Sequence, residues 1–121
     1  MHIVIDGTPA INDIRAIQRY AWNLINEISL IQTEDQYTVL YLGMGCVKEN
    51  KIPALGSQKL KTVSSSLAGK LLNLSWNLFS YPDAHFFIRE KFDIFHFTGG
   101  YSYLPVKNAK VVTTLHAFAP V

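Results

Sequence analysis

The sequence predicts a single α/β domain over residues 1–121, built on a mostly parallel sheet of about five strands with helices on both faces. Three observations carry this prediction. A short apolar segment at residues 2–6 is typical of a strand buried on both faces of a sheet. Apolar residues then recur at helical spacing from Ile14 to Ile31. Further apolar segments alternate with a second helical pattern, and this order of elements is typical of parallel α/β sheets.

The boundaries of the predicted elements follow from local signals. Gly7 and Pro9 end the first strand, and a loop leads to Asn12 or Asp13, either of which caps the first helix. Polar residues 32–36 end that helix. The remaining predicted elements are strands at 37–42, 60–63, 93–97 and 110–115, a loop at 43–59, a helix that begins at 64–66 and ends before Pro82, and a short helix from Asp83 to about Glu90.

Composition excludes several classes of protein. The net charge of +2 is small and the eleven basic residues are scattered, so we expect no nucleic-acid partner. The single cysteine, Cys46, excludes a disulfide within the chain and fits a reducing compartment. The first residues do not resemble a signal peptide, and no apolar run of about 18 residues occurs. We therefore expect a cytoplasmic protein whose contact with a membrane is at most peripheral, at its inner face.

Two histidines follow β-branched or apolar segments at the ends of predicted strands. In parallel α/β sheets, ligands bind beyond the carboxyl ends of the strands, so His96 and His116 are candidate ligand contacts. His116 could donate a hydrogen bond to a ligand or act as an acid or base, but a strand-end histidine satisfied by local backbone fits equally well. Gly99 and Gly100 after His96 permit close ligand approach, and they also fit a plain turn.

The loop after the first strand is a second candidate site. Backbone N–H groups at the start of a helix favour anions, and Gly7 lies just before this helix. Arg15 and Arg19 are four residues apart on its polar face, where they could meet a phosphate or simply be solvated. No G-x-G-x-x-G pattern is present, so an ordinary strand-to-helix connection is the alternative interpretation.

Other chemistries have little support in the sequence. The four histidines and Cys46 lack the spacings of structural zinc ligands, and we expect neither a metal site nor a cofactor. No Gly-x-Ser-x-Gly pattern marks a nucleophile. The aromatic stretch from Trp76 to Phe87 could lie on a membrane surface, but core packing beneath the sheet is the favoured interpretation.

Five segments occur in the order found in one enzyme family. They are Ile5–Pro9, Arg19–Tyr20 with Asn23–Leu24, Trp76–Pro82, Phe92–His96 and Val111–His116. Together they resemble the N-terminal, acceptor-side domain of the family-four retaining glycosyltransferases, which have the GT-B fold. The resemblance covers residues 1–121 and implies a Rossmann-like domain.

The resemblance also implies roles for individual residues. His116 would contact the sugar of the donor and is the candidate catalytic residue, while Gly7, Gln18 and Arg19 would lie toward the donor diphosphate. Three positions depart from the family pattern. Ala16 and Gln18 stand where the family has the two glycines of a Gly-x-Gly, and Ala117 stands where it has an aspartate.

The resemblance therefore predicts the acceptor-side half of a nucleotide-sugar-dependent, metal-independent retaining glycosyltransferase. This half would be truncated and inactive without a donor-binding domain. A non-catalytic binding or assembly module of the same ancestry is the alternative, and a general nucleotide-binding domain is a weaker one. Neither the donor sugar nor the acceptor is specified. The expected strand order, 3-2-1-4-5, leaves residues 110–115 at an edge, which predicts a homodimer or a companion chain there.

Overall fold

The computed structural model describes residues 1–12, 15–31, 34–42, 60–65, 69–99 and 104–116. These ranges contain five strands and four helices. The strands are β1 (His2–Asp6), β2 (Gln36–Leu42), β3 (Leu60–Ser65), β4 (Ile94–Phe97) and β5 (Lys110–Thr113), and the helices are α1 (Pro9–Asn12), α2 (Arg15–Leu30), α3 (Gly69–Phe79) and α4 (Ala84–Phe87).

The five strands form one sheet in the order β3-β2-β1-β4-β5, and every pair of neighbours is parallel. This arrangement confirms the predicted α/β, Rossmann-like fold and the predicted strand order. The chain winds from β1 outward through β2 to β3, then returns to the other side of β1 with β4. The direction of winding therefore reverses between β1 and β4, which makes the gap between their carboxyl ends the topological switch point.

Helices cover both faces of the sheet, as predicted. Neighbouring residues of each strand point to opposite faces, so Val4 and Ile5 belong to different cores. The core beneath α2 contains Ile5, Ala10, Ala21, Ile25, Val39 and Tyr41. The core beneath α3 and α4 contains Val4, Leu40, Leu42, Ala84, Ile88, Phe92, Phe95, Phe97 and Leu104.

Local differences from the sequence-based prediction lie at the ends of elements. Residues 9–12 form α1 rather than the expected loop, because Pro9 suits the first position of a helix and Ala10 donates its N–H to the Gly7 carbonyl at 2.9 Å. The predicted cap at Asp83 is confirmed, since its side chain accepts the Phe86 N–H, but α4 ends at Phe87. Ser64 and Ser65, where the helix was predicted to begin, are instead the last residues of β3, because that strand continues its pairing with β2 through Leu42 and Ser65, and α3 is described from Gly69. The predicted cap at Asp13, residue 66 and the loop at 43–59 lie outside the described residues.

The prediction that the aromatic stretch packs as core is confirmed for two of its residues and wrong for three. Trp76 packs against the core and donates its indole N–H to the Pro82 carbonyl at 2.7 Å. Leu74 and Leu78 lie on the opposite side of the helix and are 56% and 64% exposed. The side of α3 that carries these two leucines therefore faces away from the core. The other aromatic residues divide in the same way, with Phe87 packed on the core and Phe79, Tyr81 and Phe86 exposed.

The strand β5 lies at one edge of the sheet, where it pairs only with β4. All four of its residues are exposed, and Val111 and Val112 are 49% and 47% exposed. Among the described residues no helix buries this strand, although a parallel sheet normally has helices on both faces. No helix within the described ranges is both long and apolar enough to traverse a bilayer.

Candidate functional site

The register of the sheet brings the carboxyl ends of four strands to one level. Asp6 of β1 pairs with Leu40 on one side and with Phe97 of β4 on the other, and Phe97 pairs with Thr113 of β5. The segments that follow β1, β4 and β5 therefore leave the sheet side by side. These segments carry the residues of the candidate site, which are Gly7, Thr8, Thr98, Gly99, Thr114 and His116.

Gly7 is constrained by the packing of the neighbouring strand. Its N–H donates to the Leu40 carbonyl at 2.8 Å. A Cβ at this position would lie 2.5 Å from Cγ1 of Val39 and 2.7 Å from Cε1 of Tyr41, closer than any real contact of this kind. Packing inside the protein is thus sufficient to require glycine here. The contact of Gly7 with a diphosphate stays a prediction.

Hydrogen bonds fasten the ends of β1, β2 and β4 to one another. Thr98 is fully buried, and its hydroxyl donates to the Asp6 carbonyl at 2.7 Å. The Asp6 carboxylate accepts the Thr8 N–H at 3.1 Å, and the Thr8 hydroxyl accepts the Leu42 N–H at 2.9 Å. These bonds fix the relative positions of the strand ends at the switch point, next to which the side chains of the site lie.

His116 lies beside the switch point with its side chain exposed. Its Nε2 is 2.5 Å from the Thr98 carbonyl oxygen, so the imidazole is tied to the backbone that follows β4. Its ring also meets the ring of Tyr20 edge to face, with centroids 4.8 Å apart. The partner of this histidine is thus backbone that follows the neighbouring strand rather than local backbone, and the exposed ring lies beside the strand ends.

His96 lies next to this group on the face of the sheet that α2 covers. Its Nε2 is 2.8 Å from Oγ1 of Thr114, and the same Oγ1 is 3.2 Å from the Tyr20 hydroxyl. Thr114 is held in turn by its N–H, which donates to the Phe97 carbonyl at 3.1 Å. Burial lowers the pKa of His96 below its ordinary value, which favours the neutral ring. A chain of polar contacts thus joins His96 through Thr114 to Tyr20.

The other predicted ligand contacts on α2 lie apart from the histidines. Gln18 and the exposed Arg19 line a shallow surface depression of about 250 Å³ together with Trp22 and Asn23. Tyr20, rather than either of them, is the α2 residue that contacts Thr114 and His116. The predicted Gly99 follows Thr98 and is half-buried, and Gly100 lies outside the described residues.

Sequence reasoning found both histidines but missed the two side chains that connect them. Tyr20 was part of a motif of the resemblance without a role, and Thr114 was one residue of a β-branched strand. Their contacts depend on where α2 lies relative to β4 and to the segment that follows β5, which no local pattern encodes. A tyrosine in the first long helix, combined with a threonine two residues before a strand-end histidine, was the available signal.

The described residues contain no group of three or more His, Cys, Asp or Glu side chains able to hold a metal ion. Comparisons of the chain with models of protein families, with curated proteins and with solved structures found no match.

Proposed function

We propose that this chain forms the acceptor-side half of a nucleotide-sugar-dependent retaining glycosyltransferase. The observation that carries the proposal is the exposed His116 held beside the topological switch point by the Thr98 carbonyl and by Tyr20. Open parallel α/β sheets bind ligands in the crevice at such a point. The sheet order and the five motifs of the resemblance occur together with this arrangement.

In this proposal His116 contacts the sugar of the donor. Gly7 and the N-terminal part of α2, including Gln18 and Arg19, lie on the side of the diphosphate. The backbone at Gly99 borders the sugar. A second domain that carries the rest of the donor site would be needed for transfer, so the chain by itself would bind a nucleotide-sugar weakly and would not catalyse.

Backbone amide NMR of the ¹⁵N-labelled chain, titrated with UDP-glucose and GDP-mannose, tests the proposal. We expect shift changes confined to residues 7–8, 98–99 and 114–116. The substitution His116→Ala should abolish the changes, whereas Leu115→Ala is the matched control because Leu115 is a neighbouring side chain that is 63% exposed. Changes scattered over the surface, or none with any nucleotide-sugar at millimolar concentration, would contradict the proposal.

A binding or assembly module is the second candidate function, and the β5 edge favours it. Val111, Val112 and Leu115 expose large apolar side chains at or beyond this strand. An unpaired parallel edge offers backbone hydrogen bonds to an added strand. In this candidate function a second copy of the chain or a companion chain pairs at residues 110–115, and no nucleotide-sugar binds even when a donor domain is supplied.

A further inference from the structure

The structure assigns to Tyr20 and the Thr98 carbonyl a positioning role: together they hold His116 as the Nε2–H tautomer, so that Nδ1 accepts a hydrogen bond from a ligand hydroxyl. This inference rests on the proposed function only for the identity of the ligand. The tautomer is a property of the chain alone and can be measured without any ligand.

The tautomer follows from the atoms that meet at 2.5 Å. A carbonyl oxygen can only accept a hydrogen bond, so the hydrogen between His116 and Thr98 belongs to Nε2. In a neutral imidazole the other nitrogen then carries a lone pair and no hydrogen. Among the described residues none hydrogen-bonds to Nδ1 of His116, whose side chain is exposed. Nδ1 is therefore the atom of this ring that a ligand can use.

Tyr20 keeps the imidazole in this orientation. Its ring lies at 76° to the His116 ring with the centroids 4.8 Å apart, so it blocks one direction of rotation. The Tyr20 hydroxyl is itself held 3.2 Å from Oγ1 of Thr114, which His96 contacts from the other side. Turning the His116 ring over would place a carbon against the Thr98 carbonyl and lose that hydrogen bond.

The free lone pair of Nδ1 determines which ligand groups can hydrogen-bond to His116. A sugar hydroxyl can donate a hydrogen bond to Nδ1. An ionised phosphate oxygen has no hydrogen to donate, so its lone pairs would be repelled by that of Nδ1. The hydroxyl-bearing part of a nucleotide-sugar, rather than its diphosphate, would therefore lie against His116.

Long-range ¹H–¹⁵N correlation NMR of the imidazole nitrogens, recorded at about pH 8 where an ordinary histidine is neutral, tests the tautomer. We expect the protonated nitrogen of His116 to be Nε2. Tyr20→Phe keeps the ring and should keep the tautomer, whereas Tyr20→Leu should give a mixture of both forms. A wild-type chain with Nδ1 protonated, or an unchanged tautomer in a folded Tyr20→Leu variant, would overturn the assignment. If Tyr20→Leu does not fold, the wild-type measurement and Tyr20→Phe still decide.

The ligand chemistry is tested by titrating the same resonances with UDP-glucose and with UDP. We expect UDP-glucose to shift the His116 nitrogens and UDP to leave them unchanged. Equal shifts of these nitrogens with UDP would overturn the hydroxyl contact, and so would unchanged nitrogens while backbone amide shifts show that UDP-glucose binds. Absence of any backbone amide shift with the Nε2–H tautomer intact would contradict the proposed function instead, so the two failures are distinguishable.

Discussion

Tyr20 and His116 lie edge to face with their ring centroids 4.8 Å apart, although one belongs to α2 and the other follows the last strand of the sheet. The contact exists because α2 lies on the sheet face to which His96 points, and because β5 is next to β4. The contact holds the exposed imidazole in one orientation beside the switch point. A side chain that was free to rotate would lose rotamer entropy on binding a ligand, and His116 avoids part of that loss.

The substitution Gly7→Ala is expected to destabilise the chain by roughly 1–3 kcal/mol, because overpacking forces neighbouring side chains to move. The new Cβ would lie 2.5 Å from Cγ1 of Val39, which is the nearest atom. Urea unfolding of Gly7→Ala, Val39→Ala and the double variant measures the effect as a double-mutant cycle. In the Val39→Ala background, Gly7→Ala should cost less unfolding free energy than in the wild type. Strictly additive losses of unfolding free energy would show that the contact with Val39 is not what excludes a larger residue at position 7.

The stability of the fold should depend on His96 in mildly acidic solution. Burial lowers the pKa of His96 in the folded state below the ordinary value of 6.5, so the unfolded chain binds more protons as the pH falls below that value. Its contribution to stability is therefore complete above about pH 6.5 and is lost progressively at lower pH. Denaturation of His96→Gln between about pH 8 and pH 5 should show a shallower acid dependence than the wild type. Identical pH slopes would contradict this prediction.

Tyr41 is a buried tyrosine whose hydroxyl has no hydrogen-bond partner among the described residues, and its side chain is 0% exposed. Because an unsatisfied buried hydroxyl costs about 1–3 kcal/mol, Tyr41→Phe should raise the free energy of unfolding. Tyr81→Phe is the control, since Tyr81 is 56% exposed and its change should be near zero. A loss of stability in Tyr41→Phe would mean that the hydroxyl has a partner, such as a buried water.

The same burial raises the pKa of Tyr41 from 10.0 to about 12. The unfolded chain then releases the phenol proton at lower pH than the folded chain, so this stabilising contribution is complete below pH 10.0 and is lost as the pH rises toward about 12. Alkaline denaturation of the wild type and of Tyr41→Phe measures the difference. We expect the variant to lose that part of the alkaline dependence, and equal profiles would count against it.

The edge strand gives a prediction about association. Val112 is 47% exposed, and a lysine on an edge strand opposes pairing with another chain. If the chain associates at β5, Val112→Lys should shift it toward monomer in sedimentation or light scattering, with stability changed by less than about 0.5 kcal/mol. Leu30→Lys, at an exposed position on the end of α2, is the matched control. A monodisperse wild-type monomer at high concentration would refute the edge interface.

Several features of the fold were predictable from local patterns in the sequence. The periodic apolar residues of α2 and the apolar segments of β1 and β2 identify elements whose side chains must be buried on fixed sides. The cap at Asp83 depends on only a few neighbouring residues, so it was predicted correctly. The succession of strand and helix patterns favoured a parallel sheet, whereas the strand order was expected from the fold that the resemblance implies and is confirmed.

The rotation of α3 and the contacts of the histidines depended on distant residues. Trp76 packs on the core while Leu74 and Leu78 of the same helix are exposed, and the spacing of these residues alone does not show which side of the helix points inward. Likewise, the sequence placed His96 and His116 at strand ends, whereas only the position of α2 relative to β4 and to the segment after β5 brings Tyr20 and Thr114 between them. Local spacing determines which residues share a face, but contacts between elements depend on how whole faces fit together, and that fit is settled only when the chain folds.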